Sequence, residues 1–451
     1  MAGLSSLIAY FVLGYCIPRF ETALLLPVFG ILFLVYSGVT MSASDREFRF
    51  WIFLAICFRL VFLFAVPGLS DDVYRFIWDG RLLAAGIHPF AAAPTYYIQS
   101  QMAIPGIDQS LYELLNSKNY FTIYPPIAQL VYWLAVKISP HSLYVSIITM
   151  RVVILVAEIG TIILMDKLLR HFQISRVSIL LYALNPLVIL ELSGNLHFEG
   201  IMICFLLWSI YLLVVKKKAL AAVAFSMAIG VKLLPLILLP SFLKQLNRKH
   251  LVLFYSFVAL ACIALFIPFY NSKSMGSFGT SLSYYFSYFE FNASIYYLVR
   301  ALGYWIFGFN IIVFAGGLLG LVSAAIIFQI AAHPPELLMR GYLRKNIQEL
   351  DGKLWVTMLF SLLTYFLLTT TLHPWYIITL LALSIFTRYR FIVIWTGTIF
   401  LTYSGYTKDG FQENLWITMT EYCIVLGYLA YELLWKKEER NYSSFSTGTL
   451  F

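Results

Sequence analysis

Charge is what this chain has least of. Only 12% of its 451 residues are Asp, Glu, Lys or Arg, while 61% are hydrophobic. That balance excludes a soluble globular class. Cysteine is scarce as well. Cys16, Cys57, Cys204, Cys262 and Cys423 all lie inside apolar runs and form no C-x-x-C, so neither a disulfide framework nor a metal knot is expected. No Walker loop, G-x-G-x-x-G, H-E-x-x-H or G-x-S-x-G occurs where its fold would place it, which leaves soluble nucleotide chemistry without a home. No internal repeat is visible, and the one low-complexity tract is the Ser/Thr-rich end, 441–451. The first apolar span has no basic n-region and no small-residue cleavage site, so it is expected to stay as an anchor.

What the chain does have is apolar length. Spans are read at 3–17, 22–41, 49–67, 143–166, 177–193, 199–215, 250–269, 309–331, 354–371, 375–387, 391–405 and 415–435. Segment 219–246 is read as a hairpin of two short arms bending at Gly230-Val231-Lys232. These define an all-α polytopic membrane protein, a bundle of roughly 12–14 transmembrane helices with both termini inside. The apolar run 124–139 is assigned to an in-plane or re-entrant helix, because Lys167, Arg170, His171 and Arg176 after the next span belong in the cytoplasm. A large first outer loop, 68–142, therefore carries amphipathic helices, and a second runs over 270–308. Residues 1–435 read as a single transmembrane domain and 436–451 as a cytoplasmic tail. Lys118 and Lys408 are expected outside, and the loop from His333 to Lys353, with Arg340, Arg344 and Lys345, inside. The net charge of +9 is explained by this topology and requires no nucleic acid.

The first outer loop opens with Ser70-Asp71-Asp72-Val73-Tyr74-Arg75-Phe76-Ile77-Trp78-Asp79-Gly80-Arg81. Two adjacent carboxylates at a membrane edge are costly. Ser70 or Asp71 suits a helix cap, and Asp72, Arg75 and Asp79 share one face at helical spacing, with Tyr74 and Trp78 beside it. Four further groups reach the same side. They are His88 in Gly86-Ile87-His88-Pro89-Phe90, His197 with Glu199, Lys232 at the hairpin bend, and His373-Pro374-Trp375-Tyr376. A lone Lys in an apolar segment costs roughly 2.5–3.5 kcal/mol unless paired or wetted, so Lys232 is expected against a phosphate or a glutamate such as Glu191 or Glu158. His197 and Glu199 are too few for a metal site.

Asp71-Asp72-x-Tyr74-Arg75-x-x-Trp78-Asp79-Gly80, Gly86-Ile87-His88-Pro89-Phe90 and Tyr124-Pro125-Pro126 together resemble the bacterial polyprenol-phosphate-mannose-dependent mannosyltransferases, integral-membrane enzymes of the GT-C fold. The resemblance covers most of 49–387, including Lys232-Leu233-Leu234-Pro235. It departs at His88, where such enzymes often have Asn, and at His197-Phe198-Glu199, where they often carry His-Asn-Asp. The resemblance implies inverting transfer of a hexose, mannose above all, from a polyprenyl-phosphate donor to a lipid, glycan or protein acceptor. It implies no metal and no cofactor, an active site on the extracytoplasmic side of the bacterial inner membrane, and an Asp of the first outer loop as base. Asp71 is expected as base because Arg75 shares the face of Asp72, its partner. Arg75, Lys232, His373 and Tyr376 are then expected at the donor phosphate, and Trp78, Asp79, His88, Tyr124, His197, Glu199 and Trp375 at the sugar or acceptor. Two other classes fit some of the same residues. A transporter or lipid flippase would use the buried Arg59, Arg151, Glu158 and Lys232, and a polysaccharide polymerase or ligase would share the lipid-phosphate donor.

Overall fold

The computed structural model describes residues 1–270, 279–280, 288–340 and 352–435. Part of the second outer loop, Arg344 and Lys345 of the inner loop, and the tail 436–451 lie outside the described residues. Helices dominate, as an apolar chain in lipid requires, because only an internally hydrogen-bonded backbone tolerates a solvent without water. A two-stranded hairpin, β1 (Tyr406–Thr407) against β2 (Gly410–Phe411), is the one named sheet among them.

Five helices are long and apolar enough to cross a membrane: Thr22–Ser42, Leu143–His171, Arg248–Phe269, Ile312–Ala332 and Leu415–Leu434. A bent pair, Arg176–Ala183 with Pro186–Gly194, makes a sixth if it counts as one span, and its halves meet at 52°. The protein is an integral membrane protein. Most other apolar segments form shorter helices, so the larger number of crossings expected from hydropathy rests on helices such as Ala2–Tyr15 and Glu199–Val214.

The span read at 177–193 is not one straight helix. Asn185 accepts from the amides of Leu187 and Val188, Pro186 restarts the helix, and a π-turn follows at Ile189–Gly194. The segment 219–246 breaks at its lysine: helix Lys218–Val231 ends, Lys232 is extended, and a 3₁₀ run covers Leu234–Phe242.

Helices α1 (Ala2–Tyr15), α2 (Thr22–Ser42) and α3 (Phe48–Val61) precede α4 (Asp72–Ala84). Two short helices follow, α5 (Pro94–Gln99) and α6 (Gln109–Glu113), then α7 (Pro126–Ile138) and α8 (Leu143–His171). Helix α4 lies so close on α7 that a Cβ at Gly80 would stand 2.5 Å from the carbonyl oxygen of Tyr132. Gly86, at φ +76°, stops α4 in the left-handed region.

Cationic side chains mark both ends of the bundle. At one end α8 begins beside Phe64, whose carbonyl accepts from Tyr144, and Lys408 lies over Phe20 in the α1–α2 turn. At the far end of α8, about 40 Å away by helix rise, Arg170 and Arg176 pair with Asp166. Arg340 reaches the carbonyl of Leu433, at the opposite end of helix Leu415–Leu434 from Lys408.

Candidate active site

Asp71 and Asp72 open α4 and take different neighbours. Ser70 Oγ accepts from the Asp72 amide at 3.3 Å, which leaves both carboxylates free of capping duty. Asp71 Oδ2 pairs with Arg19 of the α1–α2 turn at 2.8 Å. Asp72 accepts from Asn116 Nδ2 at 2.9 Å and from the Tyr124 hydroxyl at 3.4 Å. Burial, with the Asp72 charge, raises the Tyr124 phenol well above its ordinary range, so it stays a donor to that carboxylate.

Arg75 does not pair with Asp72 as helical spacing suggested, so that contact does not distinguish the two acids. Arg75 Nε binds Asp79 Oδ1 at 2.9 Å, one helical turn on, and its Nη1 donates to the carbonyls of Ser117 and Tyr120. Gln129 donates to the other Asp79 oxygen. The pair is buried and fastens loop 117–120 to α4. Trp78 is likewise fully buried, against Tyr97 and Tyr112. His88 is seated against the end of the helix that closes at Phe269, whose carbonyl lies 3.1 Å from Nε2. These four residues thus brace the loop around the acidic pair.

The remaining expected residues converge. The bent segment 176–194 delivers Asn195, His197 and Glu199, with Leu196 between them held at φ +62°. Arg151 holds this turn by donating to the carbonyls of Ser193 and Gly194. Asn195 donates to Glu191 Oε2 and accepts from the Leu69 amide, tying the turn to the strand of chain that enters Asp71. His197 Nε2 stands 3.3 Å from Glu191 Oε2, and Tyr403 donates to Glu191 Oε1 at 2.5 Å. The His197 ring stacks on Trp375 at 3.7 Å, and Trp375 stacks on His373 at 4.4 Å. Three flat rings therefore form one pile.

Burial pushes His373 down from about 6.5 to about 3, against the pull of Asp72 and with the push of His197 and Lys232. The imidazole is therefore neutral at physiological pH, a hydrogen-bonding group and not a cation. Lys232 lies over the Tyr376 ring at 5.4 Å and forms an ion pair with Glu199 Oε1. Its partner is thus Glu199, not Glu191 or Glu158. Glu199 is fully buried, and its Oε2 has no partner among the described residues. The lysine side chain remains 19% exposed, so this pair faces space on one side.

Sequence reasoning missed Arg19, Asn116, Glu191 as a site residue, Tyr403 and Tyr406. Arg19 had a signal: it lies in a turn expected on the same side as Asp71. Tyr403 and Tyr406 had none, being two tyrosines among 31.

No curated protein matches this chain. A family model described as alpha-(1->6)-mannopyranosyltransferase, N-terminal domain, matches residues 13–247, just over half the chain and the part that holds Asp71, Asp72, His197, Glu199 and Lys232. This chain belongs to the alpha-(1->6)-mannopyranosyltransferase family and is a mannosyl-transferring glycosyltransferase.

Proposed function

We propose that the enzyme takes mannose from a polyprenyl-phosphate donor and transfers it with inversion to an extracytoplasmic acceptor, and that residues 1–435 act as one catalytic unit. The observation that carries this reading is convergence: Lys232, paired with Glu199, lies over the Tyr376 ring, Tyr376 packs edge-on against His373 at 5.5 Å, and the His373 ring lies within electrostatic reach of Asp72. A base for the acceptor and a cation for the leaving phosphate are the two groups that such a transfer needs. The basic last turn of α8, with Arg170 and His171, lies about 40 Å from its start beside Phe64, and basic ends belong in the cytoplasm, which favours an outward-facing site.

In the step proposed, the acceptor hydroxyl oxygen bonds to the anomeric carbon while the bond from that carbon to the phosphate oxygen breaks. Asp71 takes the hydroxyl proton. Asp72, fixed by Asn116 and Tyr124, orients the attacking hydroxyl. The phosphate leaves as an anion and needs charge, not a proton; Lys232 supplies it, with neutral His373 and Tyr376 beside it. Glu199 Oε2, buried and unfilled, accepts from a sugar hydroxyl, and the His197–Trp375–His373 pile walls the site beside it.

The test is transfer of labelled mannose from polyprenyl phosphate to a crude membrane lipid extract by the purified full chain. Labelled product is expected, with Asp71→Asn slower by about a hundredfold or more while donor binding survives. Transfer directly from a nucleotide-linked mannose in the absence of lipid would overturn the donor. Near-wild-type rates in Asp71→Asn, with loss in Asp72→Asn, would move the base to Asp72.

A further inference from the structure

Arg19 differs from the other arginines near the site. Arg59, Arg75 and Arg151 are buried and each donates to two or more backbone carbonyls. Those guanidiniums are built into the scaffold. Among the described residues, Arg19 holds a carboxylate, Asp71, and an aromatic face, Tyr406 at 5.0 Å, and no backbone carbonyl. Its side chain is 30% exposed and that of Asp71 35%, so the pair sits at the mouth of the cleft with water at its back. A part-exposed ion pair is weak and its exchange for another anion costs little.

The charges around it give that exchange a purpose. Asp71, Asp72 and Glu191 all act on Tyr406, the ring beneath the guanidinium. Glu199 lies further in and engages Lys232. An anionic headgroup entering this cleft meets carboxylates first. Beside the Tyr406 ring stands Arg19, whose planar fork suits two oxygens of a phosphate diester, while Lys408 lies over the neighbouring Phe20. The Tyr406 face supports the guanidinium whichever anion it holds.

We infer that Arg19 is a positioning residue that binds the phosphate of the incoming donor, leaving Asp71 as it does so. Donor binding thereby releases Asp71 Oδ2 for the acceptor hydroxyl, and the empty enzyme keeps its base occupied. This inference rests on the lipid-phosphate reading of the site.

The experiment measures binding of polyprenyl-phosphate mannose, and of soluble mannose 1-phosphate, to the full chain in detergent. Arg19→Gln should weaken lipid-donor binding tenfold or more, with partial recovery in Arg19→Lys. Asp71→Asn should bind the donor at least as tightly as the wild type, because the competing carboxylate is gone, although its transfer collapses. In the Asp71→Asn background, Arg19→Gln should weaken binding by a similar factor. Loss for both probes assigns Arg19 to the phosphate itself, and loss for the lipid alone assigns it to the membrane-held headgroup; either supports the inference. Unchanged affinity in Arg19→Gln, or an effect that vanishes once Asp71 is Asn, would reduce Arg19 to a counter-ion. Thermal unfolding of Arg19→Gln at the wild-type temperature separates lost binding from lost folding. A wild type that transfers no mannose from the lipid donor would sink the functional reading instead.

Discussion

Two of the cation–carboxylate pairs inside this protein are built differently. In the first, Arg59 gives Nε and Nη2 to Glu158 Oε2 and Nη1 to the carbonyls of Ala55 and Ala183, while Tyr182 donates to Glu158 Oε1 at 2.5 Å. Both side chains are wholly buried, and both carboxylate oxygens are filled. In the second, Lys232 meets Glu199, but the lysine is partly exposed and one glutamate oxygen is unfilled. The closed pair cross-links α3, α8 and the bent segment in the bundle's middle. The open pair has bonding capacity left for a ligand. A buried charge in a membrane segment thus marks a working site only where its partners leave something unsatisfied. This also bears on a transport reading, since Arg59, Arg151 and Glu158 spend their hydrogen bonds on the scaffold.

Breaking the closed pair should have the largest effect. Arg59→Met leaves Glu158 buried without its cation, a loss of about 3–5 kcal/mol. Folded protein should fall sharply in detergent size-exclusion chromatography, and a well-folded, fully active Arg59→Met would erase the distinction between the pairs. The open pair should respond in the opposite sense. Lys232→Met is expected to weaken donor affinity about tenfold to a hundredfold while most of the protein still elutes as folded. Unchanged affinity would make Lys232 a structural partner of Glu199 and nothing more.

Smaller effects sharpen the picture around the open pair. Trp375→Ala removes the middle ring of the His197–Trp375–His373 stack, and each aromatic contact is worth about 0.5–1.5 kcal/mol. Transfer should drop about tenfold with the elution profile unchanged; normal turnover would leave the motif a membrane belt. For His373, ¹⁵N imidazole shifts should report a neutral ring at pH 5, because its folded value lies about 3. The unfolded chain takes up that proton near 6.5, so the stability tied to this group is complete above that pH and declines as pH falls from 6.5 towards 3. A ring protonated at pH 5 would mean that the stack is open to water.

Much of this was legible in the sequence, for physical reasons that differ by residue. The Asp71-Asp72 stretch stood out because charge is rare here and adjacent acids at a span end are rarer. Lys232 stood out because an unpaired ammonium cannot be left in an apolar segment, and helix Lys218–Val231 does end beside it. The partner was not legible. Glu191, Glu158 and Glu199 are equivalent by composition, and only the bend at Asn185-Pro186 and the π-turn after it decide which carboxylate arrives. Helical spacing placed Asp72, Arg75 and Asp79 on one face but could not say that Arg75 turns to Asp79 and to loop 117–120, since that loop's path is a tertiary matter. Arg19 and Tyr406 lie almost 400 residues apart, and no local pattern links them.

We propose that the open pair serves the reaction and the closed pair the fold. This is tested most directly by neutralising the open pair as a unit, Lys232→Met with Glu199→Gln, so that no unpaired charge remains buried. Melting temperature and mannose transfer from polyprenyl phosphate would be measured on the same preparation. The melting temperature should stay close to the wild type and transfer should fall by about a hundredfold. Transfer at the wild-type rate in that double variant would contradict it.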